Sequence, residues 1–375
     1  MTARSVDPGA GFHVARWMDR LGHIACDRPA AMRAVARLES KLVEERLAEI
    51  PIEAPVWIAG LARSGSTVLL ELLDNHAATA TQRYRDFPPV LTPFFWNRLL
   101  DLMPLNREAP AERAHRDRIM VTAESPEAFE EPVWMNFFPD LHDGIRSAVM
   151  DGTDRHAEFE AFLKNHMRKI MLVRGGRRYL AKANYNATRF AYLLAIFPDA
   201  RFLLPIREPG AHVASLMKQQ RLFCAGEADN PAARRHLARA GHFEFGLGRR
   251  PIHCGDHDAT AEIRSLWAAG REAEGWALQW AALYGAVADQ LDADPALRSA
   301  LLVVRYEDFC AEPASTLGRI LDHCGLDPME DLLRMAKERL SAPSYYQTSF
   351  PPALAETICD STDAVALRFG YEVGR

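Results

Sequence analysis

Residues Pro55-Val56-Trp57-Ile58-Ala59-Gly60-Leu61-Ala62-Arg63-Ser64-Gly65-Ser66-Thr67 constrain the fold more than any other stretch. An apolar strand over residues 56–59 enters a glycine-bearing turn, and a helix over 66–75 leaves it. That arrangement aims backbone N–H groups and a helix N-terminus at an anion, usually a phosphate. The spacing Gly60-x-x-x-x-Gly65 is that of a nucleotide P-loop, but Ser66 stands where the P-loop lysine belongs, and Thr67 follows it. The cation has moved inside the loop, to Arg63. Such a loop can still cradle phosphates, yet it is not equipped as an ordinary ATPase. Glycine-rich turns of this kind also occur without a ligand, so the loop alone leaves both readings open.

The rest of the chain places the loop in an α/β frame. Helical spacing fills 12–50, followed by strands over 56–59, 179–183, 202–206 and 301–304, with helices over 159–173, 186–197, 209–220 and 264–291. Strands alternating with helices predict a P-loop-type three-layer α/β fold, with a central parallel sheet flanked by helices and an N-terminal helical extension. The expected division is an extension over 1–53 and an α/β domain over 54–375, carrying inserts at about 84–150 and 223–260. The first insert is aromatic, with Phe94, Phe95, Trp96, Phe129, Trp134, Phe137 and Phe138, residues suited either to a core or to an acceptor wall. The second holds His236, His242, His253 and His257 at spacings that fit no metal motif and read as solvated loop. No metal is expected. A net charge of −5 without basic blocks argues against a nucleic-acid partner. Six cysteines without a C-x-x-C, no leader-like start and no membrane-length apolar run predict a cytoplasmic protein without an integral membrane segment.

A second constellation repeats the strand–turn–helix logic. Arg207 ends the strand 202–206, and Ser215 lies eight positions on, in the following helix. Ligands of open α/β sheets bind at the carboxyl ends of strands, where a guanidinium can grip a phosphate through two hydrogen bonds. A surface arginine beside Glu208 is the plainer alternative.

With the loop, this Arg207…Ser215 pair resembles the 3′-phosphate site of sulfotransferases that use 3′-phosphoadenosine 5′-phosphosulfate (PAPS). Phe197-Pro198-Asp199-Ala200-Arg201-Phe202 resembles the lead-in to that strand in bacterial, tyrosylprotein and glycan sulfotransferases. Val304-Arg305-Tyr306-Glu307-Asp308-Phe309, followed by Pro313, resembles their closing segment. The resemblance runs from about residue 55 to about residue 326 and implies PAPS as donor and 3′-phosphoadenosine 5′-phosphate (PAP) as product. By it, Arg63, Ser64, Gly65, Ser66 and Thr67 would hold the 5′-phosphosulfate, and Arg207 and Ser215 the 3′-phosphate. Lys182 matches the lysine that contacts the sulfonate in cytosolic sulfotransferases. Asn184 stands where those enzymes carry a basic histidine, and an amide cannot take the proton. The resemblance then points to a carboxylate: Asp86 first, otherwise Glu130 or Glu131. Asp86, beside the two arginines Arg83 and Arg85, reads equally as a structural ion pair, and Glu130 and Glu131 as a solvated helix face.

The function implied is transfer of a sulfuryl group to a hydroxyl or amine of a small-molecule, glycan or lipid-like acceptor. A P-loop kinase is the rival enzyme, although Gly-Lys-Ser/Thr is missing and no strand ends clearly in a magnesium-binding aspartate. A non-catalytic nucleotide-binding scaffold is the alternative of another kind.

Overall fold

The computed structural model describes residues 10–103, 109–117, 119–340 and 350–372. Its centre is a parallel sheet of β1 (Val56–Ile58), β2 (Thr79–Ala80), β3 (Arg178–Lys182), β4 (Arg201–Ile206) and β5 (Leu301–Arg305), in the order β2-β3-β1-β4-β5. Val56 pairs with Leu180 on one side and Arg201 on the other, so β1 is central.

Both faces of the sheet are dry, which explains why β1 is apolar without alternation. Val56 and Ile58 point to one face, with Leu180 and Leu203. Leu69, Leu70, Leu72 and Leu73 of α3 (Ser66–Asp74) cover them, with Leu317 and Ile320. Trp57 points to the other face, beside Tyr179 and Phe202. There α4 (Ala157–Arg174) contributes Phe159, Leu163, Met167 and Ile170. Each such residue, fully buried, stabilises the fold by roughly 1.5–3 kcal/mol before entropy is counted.

Helices α1 (Arg16–Ala25) and α2 (Pro29–Leu42) precede the sheet. A buried pair ties α2 to the body: Lys169 Nζ donates to Glu39 Oε2 at 2.6 Å, with both side chains at most 1% exposed. Burial pulls Lys169 down and pushes Glu39 up, each against the attraction of the other.

Several elements differ from expectation. The helix expected over 186–197 is a 3₁₀ turn, Asn184–Thr188, followed by a helix at Phe190–Ile196. The helix expected to stop at 220 continues as α5 (Pro209–Glu227), and α6 (Pro231–Arg239) follows it. The stretch beyond buries Phe243, Phe245, Ile252 and His253. Its lack of periodicity is real, but its side chains are core rather than solvated loop. Trp276 and Trp280 are likewise buried, on α7 (Glu272–Ala293).

Candidate active site

The phosphate-type loop leaves β1 at the carboxyl edge of the sheet. Gly65 turns the chain at φ +96°, and no side chain caps α3 behind it. The first N–H groups of α3 therefore keep their capacity to donate, and the helix dipole adds positive potential. Arg63 also lies in the left-handed region, at φ +73°, a strained setting for a residue with a side chain. His212 Nε2 on α5 donates to the Ala62 carbonyl oxygen at 2.8 Å and braces the loop from below.

Lys182 ends β3, directly opposite Ile58. Its Nζ donates to Thr67 Oγ1 at 2.9 Å, and Arg113 Nη1 donates to the same hydroxyl at 3.2 Å. Glu127 lies beyond, its Oε1 4.0 Å from Lys182 Nζ. Burial pulls the Lys182 ammonium below its ordinary value, Arg113 and Arg63 reinforce this, and Glu127 and Glu244 oppose it. Burial would push the Glu127 carboxyl up, but Lys182 and Arg113 hold it below the usual carboxylate range.

An internal anion faces the loop cation. Asp117 Oδ2 accepts from Arg63 Nη1 at 2.7 Å, and Arg113 grips both Asp117 oxygens, at 2.9 and 2.5 Å. Burial alone would raise the Asp117 carboxyl, but Arg113 and Arg63 hold it well below its ordinary value.

Arg207 follows β4 and is buried, with its guanidinium carbon 5.0 Å from the centroid of the Tyr306 ring. A Cβ on Gly65 would lie 2.7 Å from that same ring. Tyr306 thus packs between the loop and Arg207. Ser215 Oγ is buried on α5 and has no hydrogen-bond partner among the described residues. The Glu208 carboxylate caps α5, accepting from the Gly210 and Ala211 N–H groups. Ser64 and Ser66 are buried within the loop.

Of the three carboxylates singled out as bases, Asp86 and Glu130 lie outside the cleft, and Glu131 lines it but is held in a buried ion pair. Asp86 is fully buried. It takes Arg174 Nη2 at 2.6 and 2.5 Å, Asn97 Nδ2 at 2.7 Å and the Arg83 N–H at 2.7 Å. Both its oxygens are consumed by the fold, and the ion pair is the reading the geometry supports, with Arg174 in place of Arg83 or Arg85. Glu130 is fully buried too, accepting from Trp57 Nε1, Trp134 Nε1, Tyr179 Oη and Asn186 Nδ2. Glu131 pairs with Arg189 at 2.8 Å and His142 at 2.5 Å, and these hold its carboxyl down to about 2 against burial. Neither is a solvated helix face.

Residues the sequence did not single out line the cleft as well. Glu127 and Arg113 come from irregular segments with no period to mark them. Asn184 Nδ2 donates to Glu244 Oε1 at 2.8 Å, and Glu244 Oε2 lies 3.4 Å from His242 Nδ1. His242 is stacked on Phe223 at 4.9 Å, not free in solvent. The only advance signal for these groups was Asn184 itself, an amide where a base was due.

A parallel sheet whose carboxyl edge presents a glycine turn, an open helix terminus and converging cations defines a P-loop-type group-transfer enzyme. Residues 55–239, about half of the chain, match the model of the sulfotransferase family, and this segment contains the loop, Lys182, Arg207 and Ser215. The protein is a sulfotransferase of that family. Two solved structures share the fold. A sulfotransferase from Mycobacterium avium, STF9, is 14% identical at a TM-score of 0.53, covering 90% of this chain and 83% of that one. STF1 from Mycobacterium tuberculosis H37Rv is 16% identical at a TM-score of 0.50, covering 95% and 84%. No curated protein matches the sequence. No helix among the described residues is long and apolar enough to cross a membrane.

Proposed function

We propose that this sulfotransferase uses PAPS as donor and passes its sulfuryl group to a hydroxyl or amine by in-line displacement. The observation that carries the donor assignment is the pair of separate anion sites on one sheet edge, one at the loop and one at Arg207 with the orphaned Ser215 hydroxyl. A donor with phosphates at both 5′ and 3′ positions needs two such sites; ATP does not. The missing P-loop lysine argues in the same direction.

In this reading the loop amides of Arg63–Thr67, the Thr67 hydroxyl and Lys182 bind the phosphosulfate, and Arg207 and Ser215 bind the 3′-phosphate. The sulfur–oxygen bond to the phosphate breaks as the bond to the acceptor oxygen forms. Lys182 and Arg113 stabilise the charge left on the phosphate. The acceptor proton goes to Glu127, the carboxylate nearest Lys182. Its depressed proton affinity comes from Lys182 and Arg113. A bound anionic donor offsets that field and restores basicity when it is needed. Glu244 with His242 is a second candidate, favoured by the hydrogen bond from Asn184. Six free cysteines are consistent with a reducing compartment such as the cytoplasm.

Calorimetric titration with PAP, beside ATP and magnesium, tests the donor. PAP should bind and Arg207→Ala should weaken it at least tenfold. Preference for ATP with magnesium would replace the reading with a kinase, and binding of neither would favour a scaffold. For the base, Glu127→Gln should lower kcat about 100-fold or more while leaving PAP binding intact. The same loss in His242→Asn, with Glu127→Gln active, would move the role to His242.

A further inference from the structure

The cleft beside the loop has a volume of about 1320 Å³ and divides into two chemically unlike halves. Arg63, Thr67, Lys182 and Glu127 line its floor, whereas Arg207 and Ser215 do not line it at all. The cavity therefore extends from the reacting end of the donor site away from the nucleotide. Its size exceeds the roughly 300–1000 Å³ of ordinary small-molecule pockets. Space for an acceptor lies directly against Lys182.

The half remote from the floor is apolar. Phe87 and Phe129 form one wall, stacked at 5.0 Å with an interplanar angle of 20° and buried at 4% and 7% exposure. The opposite wall comes from the N-terminal helix α1, through Met18 and Trp17, and from Leu237 of α6. Trp17 is 59% exposed at the mouth. Of the charged groups lining the cleft, Arg85 pairs with Glu124 at 2.7 Å. His236, edge-on to Phe87 at 4.9 Å, is a polar group on this wall, and sugar hydroxyls out of its reach would face ring edges and aliphatic carbons, at a cost for each unpaired group.

Building on the sulfotransferase reading, we infer that the acceptor is an amphipathic alcohol: a hydroxyl at the end of an apolar body that lies between the Phe87–Phe129 wall and α1. The hydroxyl reaches Glu127 and Lys182, and the apolar body lies along the Phe87–Phe129 wall, where His236 is the polar neighbour. Helix α1 is then part of the acceptor site, and Trp17 guards its entrance.

The test uses the full chain saturated with PAP, whose binding is first measured by itself. 1-Octanol, 1-decanol and 1-dodecanol are titrated by calorimetry, with glucose as the polar comparison, and sulfated product is then sought with PAPS. Affinity should rise about fourfold per methylene, or about 15-fold per step of the series. Phe129→Ala should weaken 1-dodecanol at least tenfold with PAP affinity unchanged. Trp17→Ser, at an exposed position where folding is not at stake, should weaken it about three- to tenfold. Affinity flat along the series, or glucose binding more tightly than 1-dodecanol, would overturn the inference while leaving the donor reading in place. Failure to bind PAP would remove the donor reading, and this inference with it.

Discussion

Replacing Asp86 by asparagine separates a structural carboxylate from a catalytic one. In the native fold two Asp86 oxygens receive four donor contacts, two of them from Arg174 Nη2 at 2.6 and 2.5 Å. Asparagine keeps one oxygen and turns an N–H₂ group toward donors. If the amide nitrogen takes the Oδ2 place, it faces the Arg83 N–H and Arg174. If it takes the Oδ1 place, it faces Arg174 and Asn97, whose own oxygen is already bound by Arg174 Nη1 at 3.0 Å. Either way Arg174, with its side chain 7% exposed, loses a charge-assisted bond and its counter-charge. Breaking a buried pair from one side costs about 3–5 kcal/mol. With a urea slope of about 4 kcal/mol per molar for a chain this long, the unfolding midpoint should fall by about 1 M. Tryptophan fluorescence in urea measures it, and kcat per folded molecule should stay within about twofold. An unchanged midpoint with a 100-fold loss of kcat would refute the reasoning and restore Asp86 as the base.

Other expectations follow from the same geometry. Lys182→Ala should reduce transfer at least 100-fold with little change in the unfolding midpoint; persistent transfer would remove its assigned role. Asp117→Asn should tighten PAP about tenfold by calorimetry, because Arg63 and Arg113 lose the internal anion with which the donor competes; unchanged affinity would mean the pair does not compete. Glu130→Gln should destabilise the fold by about 2–4 kcal/mol, since Tyr179 can reverse its hydroxyl but Trp57 or Trp134 then loses its acceptor. Stability should also fall in mild acid. His166 and His212 are buried neutral, burial lowering each to about 3, whereas the unfolded imidazoles protonate near 6.5. The unfolded state thus binds more protons between those limits, and about 3 kcal/mol should be lost from pH 6.5 to pH 5. A His166→Gln, His212→Gln variant should show a shallower dependence, and an equal slope would refute the assignment.

The parts of the site that could be read in advance are those where a strand, a turn and a helix follow one another in sequence. Lys182 and Arg207 sit at strand ends, Gly65 and Thr67 in the turn and helix that follow one, and the parallel sheet brings these ends together without further information. Asp86 and Glu130 could not be placed this way, because their neighbours' sequence does not state which side of a segment faces Arg174 or Trp57. Arg113, Glu127 and Glu244 were invisible for a different reason. They stand in or beside irregular segments, where hydrophobic periodicity gives no face to assign, and only tertiary packing brings them to Lys182. The stretch after α6 was misjudged because polar composition was equated with exposure, although Phe243 and Phe245 anchor it in the core.

The Tyr306 ring makes the two anion pockets mechanically inseparable. It fills the space a side chain at position 65 would need, and the same ring lies against the Arg207 guanidinium. A replacement loop lacking glycine at that position would therefore fail at a distance: its side chain would push the ring, and the ring would carry the displacement to Arg207. The three motifs are spread across the gene but act as one part, and a successful redesign must exchange them together.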